Sequence, residues 1–217
     1  MQRDKLKTLA VVAQKGGTGK TTLALNLAAL AASDGLRVAL VDCDPQRSAA
    51  SWWETREGED ITLIERPASD LPMIQEAARA DGFDLLIVDT RPSVEAETMQ
   101  AIQSATVAVI PTRPGILDLR AVAATAHLVA SSRTPGVIVL NQCPPPRSEN
   151  EPTLTAEARA VANTLGLPVA PPVVSMRAAL SYCLNDGRSA FEYEPGGKAD
   201  QETRALWRYL KKAYLDG

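Results

Sequence analysis

The sequence predicts a single-domain α/β protein: a mostly parallel, twisted sheet of about seven or eight strands flanked by helices. Three observations lead there. Short runs rich in Val, Ile and Leu recur without polar alternation, the pattern of strands buried on both faces. Segments with helical spacing lie between them, and strand–helix–strand repetition implies right-handed crossovers and a parallel sheet. The 217 residues are 45% hydrophobic and 23% charged, a globular make-up that excludes a disordered chain, a collagen and a disulfide scaffold.

Taken in order, strands are expected at Thr8–Ala13, Arg37–Val41, Ile61–Ile64, Leu85–Val88, Thr106–Ile110 and Val137–Leu140, with a weaker one at Val169–Val174. After the first run, Leu23, Leu27, Leu30 and Ala31 share one helical stripe, and Asp34-Gly35 stops that helix. Further helices read over 70–81, 94–104, 117–132 and 154–165, and a terminal helix over 200–215. The longest irregular stretch, Pro144-Pro145-Pro146-Arg147 and Ser148–Pro152, follows a strand's carboxyl end, the edge where open α/β sheets bind ligands. Repeats, linkers and low-complexity tracts are absent from the sequence, and residues 1–217 read as one domain.

Charge and cysteine usage narrow the class. Lys and Arg number 23 against 26 Asp and Glu, net -3, so no global basic field advertises nucleic acid, although a local patch is compatible with that total. Cys43, Cys143 and Cys183 are odd in number and far apart, which predicts free thiols in a reducing, cytosolic setting. The first residues have too short an apolar run for a signal peptide, and no run approaches a membrane span.

The strongest motif is Gln14-Lys15-Gly16-Gly17-Thr18-Gly19-Lys20-Thr21-Thr22, directly after an expected strand and opening a helix. That context is what a phosphate-binding loop requires. Glycines let backbone N–H groups turn around a polyphosphate, and the helix N-terminus adds partial positive charge. Lys20 can reach terminal phosphates and Thr21 can offer its hydroxyl to Mg²⁺. Gln14 stands where the generic motif has its first glycine, and Lys15 adds a second lysine that is free to point outward, across a dimer interface. Two acidic strand ends agree with this reading. Val38–Gln46 ends with Asp42 and Asp44, on one side of the strand if it runs that far. Phe83–Thr90 is apolar and then acidic, so that Asp89 is placed to hold a metal, through water.

Lys-Gly-Gly-Thr-Gly-Lys-Thr resembles the deviant Walker A motif of the ParA/MinD family of P-loop ATPases, and Val-Asp-Cys-Asp-Pro-Gln resembles the second signature of ParA-type members. The Ser175–Glu194 segment, with Arg177 after the last strand and a Gly-x-x-hydrophobic-x-Glu pattern, extends the likeness over nearly the whole chain. The short length resembles the small ParA subgroup without a helix-turn-helix extension. The resemblance implies ATP and Mg²⁺ as ligands, with a nucleotide site at Lys15, Gly16, Gly17, Thr18, Gly19, Lys20, Thr21 and Thr22. It implies a metal shell of Thr21, Asp42 and Asp89, Lys15 reaching the nucleotide of the facing subunit, and Asp44 aligning the attacking water. Asn141, at the end of a strand where relatives present a residue to adenine, is placed with the nucleotide, and Pro144–Pro146 is a candidate base wall. One departure is Arg91, where many relatives have proline; a phosphate contact, an interface salt bridge and a tolerated change all fit it.

The resemblance further implies a slow ATPase that dimerises on ATP, binds non-specific DNA, and is stimulated by a ParB-like or cargo-adaptor partner, in the cytoplasm and on the nucleoid of a bacterium. Candidate DNA contacts are Arg177, Arg188, Arg204, Arg208 and Lys211. The last 41 residues carry seven basic and six acidic side chains, a local net of only +1, so an ordinary solvated face is the competing reading. Arg204, Arg208, Lys211 and Lys212 nevertheless share one helical stripe. The same helix, with Trp207, Tyr209 and Leu210 opposite lysines, has the chemistry of a MinD-like membrane anchor, yet Leu206, Leu210, Ala213 and Tyr214 also make a stripe for docking on the core, the favoured reading. A metabolic ATP-dependent synthetase of the same superfamily is the other alternative. A nitrogenase-type reductase finds no support in the cysteine spacing. His127, mid-helix and alone, reads as structural, Cys43 as packing, and Trp52-Trp53 as core or partner surface.

Overall fold

The computed structural model describes residues 6–92, 95–147 and 150–216. Six parallel strands, β1 (Lys7–Val11), β2 (Val38–Asp42), β3 (Ile61–Glu65), β4 (Leu85–Asp89), β5 (Val107–Thr112) and β6 (Gly136–Leu140), form one sheet in the order β3-β2-β4-β1-β5-β6. Alternate residues of each strand face opposite sides. Leu9, Val11, Leu40, Ile87, Val109 and Val139 enter the core beneath α1 (Lys20–Ser33), α2 (Ser48–Thr55), α7 (Ala179–Asn185), α8 (Ala190–Tyr193) and α9 (Lys198–Leu210). Ala10, Val41, Val88, Ala108, Ile110 and Ile138 face α3 (Leu71–Asp81), α4 (Glu95–Ser104), α5 (Ile116–Ser132) and α6 (Thr153–Ala162). Burial on both faces is why these strands carry no alternation in the sequence.

The expected seventh strand is not formed, and among the described residues the sheet has six strands rather than seven or eight. Val169 and Ser175 make only isolated bridges, to Ile138 and Cys143. Ala170 N–H donates to Ile138 O and Val174 N–H to Leu140 O, but Pro168, Pro171 and Pro172 have no N–H to continue a ladder. The terminal helix also differs: it is α-helical to Leu210, then closes in a π turn over Lys211–Leu215, with Asp216 N–H on Lys211 O. Residue 94, the expected first residue of α4, lies outside the described residues, as do 148 and 149 of the proline-rich loop.

Helix α1 is buried nearly all round because the sheet lies under it and α9 over it. Leu206, Trp207 and Leu210 of α9 are buried, so its apolar side docks on the chain's own core. Trp52 is core as well, with its indole N–H on Arg188 O, and Trp53 packs against that cluster with its N–H on Ile61 O. His127 is exposed on α5. Among the described residues, no helix is long and apolar enough to cross a membrane.

Candidate functional site

The sheet topology brings the motifs together. β1 is flanked by β4 and β5, and β4 by β2, so the loops after all four strands meet at one carboxyl edge. The register aligns them: Val11 pairs with Asp89, and Asp89 with Asp42. Residues 14–19 leave β1 and turn into α1, whose N-terminus has neither a side-chain cap nor an acidic residue in its first turn. A 14-residue helix thus presents bare N–H groups into a glycine loop, a setting suited to an anion.

The loop is braced from outside. Asn141 Nδ2 donates to Thr18 O at 2.7 Å, and Gln142 Nε2 to Gly17 O at 3.2 Å. With those carbonyls tied back, the loop's N–H groups are left to the other side. Gly19 is required here twice over. Its φ is +86°, and a Cβ would lie 2.5 Å from Asn141 Nδ2. Asn141, expected beside the nucleotide, uses its Nδ2 to hold the back of the phosphate loop. Gln142 is not singled out by the sequence motifs; its one signal is a second amide beside Asn141 at the strand end. In the loop that follows them, a cavity of about 260 Å³ is lined by Pro144, Pro146, Asn150, Thr155, Ser175 and Glu202.

At the centre, Lys20 and Asp89 are both buried. Neither Asp89 oxygen accepts a hydrogen bond of regular geometry, although the Thr21 hydroxyl is close enough to favour its charged form. Burial pushes the Asp89 acid up to about 7, the charge of Asp42 adds to the rise, and Thr21 and Lys20 oppose it. Burial likewise lowers the Lys20 ammonium below the ordinary lysine value, against the pull of Asp89 and Asp44. A buried carboxylate with only the Thr21 hydroxyl near it, beside a buried ammonium and a bare helix N-terminus, fits Mg²⁺ bound with a polyphosphate, because Mg²⁺ takes few protein ligands and shares phosphate oxygens. Among the described residues, no group of three or more His, Cys, Asp or Glu makes a metal cage by itself.

Two acidic residues sit differently from expectation. β2 ends at Asp42, so Asp44 lies beyond the strand and alternation does not set its side. Asp42 accepts Asp44 N–H at 2.9 Å and Ala50 N–H at 3.0 Å, one on each oxygen, and so shapes the turn and caps α2. Burial raises the Asp42 acid, while these amide bonds pull it back. Asp44 is half-buried and accepts Gln46 N–H at 2.9 Å.

Lys15 does not stand outward and free. Its ammonium lies 2.9 Å from Asp118 Oδ1, and the Arg113 guanidinium reaches the same oxygen at 3.0 Å. Burial pushes the Asp118 acid up, but the bonds from Lys15 and Arg113 outweigh it and hold it below the ordinary carboxylate value. Arg91 is forked onto Glu97 of α4. Its neighbour Pro92 is 3.6 Å from where a Gly16 Cβ would stand, which seats this strap on the phosphate loop.

The basic candidates divide. Arg177 pairs with Glu202, Arg188 with Asp186, Arg204 with Asp200, and Lys211 with Asp34. Arg204 also covers the Phe191 ring and Arg188 the Tyr193 ring. Arg208 and Lys212 are exposed. The stripe seen in the sequence is thus split between inward ion pairs and outward charges, and the π turn shifts its last members. Cys43 is half-buried, Cys143 and Cys183 are buried, and all three are free thiols whose acidity burial suppresses.

A parallel sheet with a glycine loop, a buried lysine and an acidic strand end at one edge defines a P-loop nucleotide-binding domain. The chain belongs to the CobQ/CobB/MinD/ParA nucleotide-binding domain family, whose profile matches residues 9–190, and so stands among the ParA/MinD-type ATPases. It is 34% identical over 205 residues to the maintenance of carboxysome distribution protein A of Gloeobacter kilaueensis, covering 93% of this chain and 91% of that protein. It is 33% identical over 152 residues to the chromosome-partitioning ATPase Soj of Thermus thermophilus, 57% of this chain and 61% of that one. The fold matches apo McdA of Cyanothece, with a TM-score of 0.77 at 18% identity over 96% of this chain and 99% of that one. It also matches the septum site-determining protein MinD of Pyrococcus horikoshii with Mg-ADP, with a TM-score of 0.77 at 19% identity over 96% and 97%.

Proposed function

We propose that this protein is a Mg²⁺-ATP-dependent dimeric switch that positions cargo along DNA. The observation that carries the nucleotide half is the buried Asp89, with no hydrogen bond of regular geometry, beside Lys20 and the bare N-terminus of α1. Residues 15–22 bind the phosphates, and the proline-lined cavity in the loop after Asn141 takes the base. Thr21, Asp42 and Asp89 would hold Mg²⁺, which would supply charge neutralisation. Asp44 orients the water, and Lys15 of each subunit serves the nucleotide of the other. Phosphoryl transfer to water needs positioning and charge more than covalent help, so turnover is slow until the dimer completes the site.

In the ATP state the dimer binds DNA through phosphate contacts of Lys and Arg, without base readout. A ParB-like or cargo-adaptor partner stimulates hydrolysis and releases it, and the protein resides in the bacterial cytoplasm on the nucleoid. Relatives named for carboxysome distribution and for chromosome partitioning support this reading. The exposed Arg208 and Lys212 are available to phosphates at once, whereas Arg177, Arg188, Arg204 and Lys211 must first leave carboxylates. The exposed Arg188–Asp186 pair costs little to exchange, whereas the half-buried Glu202 and the buried Asp200 hold Arg177 and Arg204 more firmly.

The test is retention on random-sequence duplex DNA with ATP, ADP or no nucleotide, at two salt concentrations. Binding only with ATP, weakening steeply with salt, is expected. No binding in any state removes the DNA-coating role and turns attention to liposomes and small-molecule acceptors, although the docked apolar side of α9 speaks against a membrane anchor.

A further inference from the structure

Lys15 and Arg113 share one oxygen of one carboxylate. Lys15 Nζ is 2.9 Å, and Arg113 Nε and Nη2 are each 3.0 Å, from Asp118 Oδ1. Asp118 is 8% exposed, in the first turn of α5, whose N-terminus has no side-chain cap. Arg113 also stands over the phosphate loop, with Nη1 4.0 Å from where a Gly17 Cβ would be. The cluster thus holds two cations against one nearly buried anion, and both cations are about one-third exposed.

This surplus has a consequence for Lys15. A buried carboxylate that loses its sole cation is strongly destabilised, because desolvation is no longer compensated. If Lys15 alone neutralised Asp118, moving it to a phosphate would strand that charge. With Arg113 on the same oxygen, and the positive end of α5 behind it, Asp118 remains neutralised after Lys15 departs. We propose that Arg113 is the positioning residue that keeps Asp118 neutralised and so releases Lys15 from its parked position to the nucleotide. This inference rests on the reading of Lys15 as the lysine that serves the facing subunit. It assigns a task to a residue outside the phosphate-loop motif, 98 positions further along the chain.

The test is a double-mutant cycle on ATP turnover with Arg113→Gln, Asp118→Asn and the two combined. Arg113→Gln is expected to lower kcat about tenfold or more, since Lys15 then has to leave a nearly buried, unneutralised carboxylate. In the Asp118→Asn background the same change is expected to have less than about a threefold effect, because no charge remains to be covered. Arg113→Lys, which keeps the charge, is expected to stay near wild type. ADP affinity of Arg113→Gln is expected to be retained.

Three results overturn the inference: normal turnover in Arg113→Gln, an equally large loss with and without Asp118, or loss of ADP binding. The last two would mean that Arg113 acts on the phosphates or on the fold. Lys15→Ala in the same assay separates the two levels. Normal turnover there removes the underlying reading together with the inference, whereas loss there with an unaffected Arg113→Gln removes the inference alone.

Discussion

Replacing Gly19 with Ala tests the geometry of the phosphate loop most directly. Two costs follow from the structure. At φ +86° a Cβ carries a left-handed penalty of about 1–2 kcal/mol. The same Cβ would stand 2.5 Å from Asn141 Nδ2, so the amide must withdraw and its bond to Thr18 O is lost, about 1 kcal/mol more. Together they amount to about 2–3 kcal/mol, which for a chain of 217 residues lowers Tm by roughly 5–10 °C. Calorimetry of nucleotide-free Gly19→Ala, Asn141→Ala and the double variant separates the contributions. Asn141→Ala removes both the brace and the obstacle, so the double variant should lose about 1 kcal/mol less than the sum of the singles. Strict additivity would show that the methyl group and the amide never meet. A Tm within 2 °C of wild type for Gly19→Ala would show that residue 19 is not left-handed, and the account of the loop would fail.

Three further outcomes are expected. Asp89→Asn should stabilise the nucleotide-free protein by on the order of a few kcal/mol at pH 8 and by less at pH 5. The folded acid sits at about 7 against 3.8 for the free group, so the wild type loses stability as pH rises through that window. A Tm gain equal at both pH values would exclude ionisation as its cause, and the variant should also lose Mg²⁺-dependent stabilisation by nucleotide. Asp42→Ala removes the acceptor of Ala50 and Asp44 N–H and should cost about 1–2 kcal/mol in urea unfolding; an unchanged midpoint would mean that the cap is idle. Lys20→Ala should abolish nucleotide binding in calorimetric titration, and retained affinity would displace the phosphate site from residues 15–22.

What was legible in the sequence is what neighbours in the chain decide. Strand, glycine loop and helix over residues 7–33 are local, and so are the acidic ends of β2 and β4. The helix stop at Asp34-Gly35 is local too, with Gly35 at φ +84°. The seventh strand failed for an equally local reason that hydropathy hides. Its residues are apolar enough, but its prolines cannot donate. The stripe on α9 runs into the π turn at Lys211–Leu215, a change of geometry that a helical wheel does not foresee.

Partnerships between distant residues were not legible, and they change the meaning of several cations. Arg177 and Lys211 look like free positive charge in the sequence, yet each meets a carboxylate that spacing does not choose, 25 and 177 positions away. Arg56 is the clearest case. It lies beyond α2 and is nearly buried, held by Asp60, Glu192 and the Gly187 carbonyl, so a charge that reads as surface is an internal strut. The same holds for Lys15. Its place in the motif identifies it, but whether it is free or parked depends on Asp118, and what it costs to leave depends on Arg113. A lysine held by a carboxylate that it shares with an arginine can be firmly placed at rest and still be released without stranding a buried charge. A lysine with Asp118 to itself could have only the first of these properties.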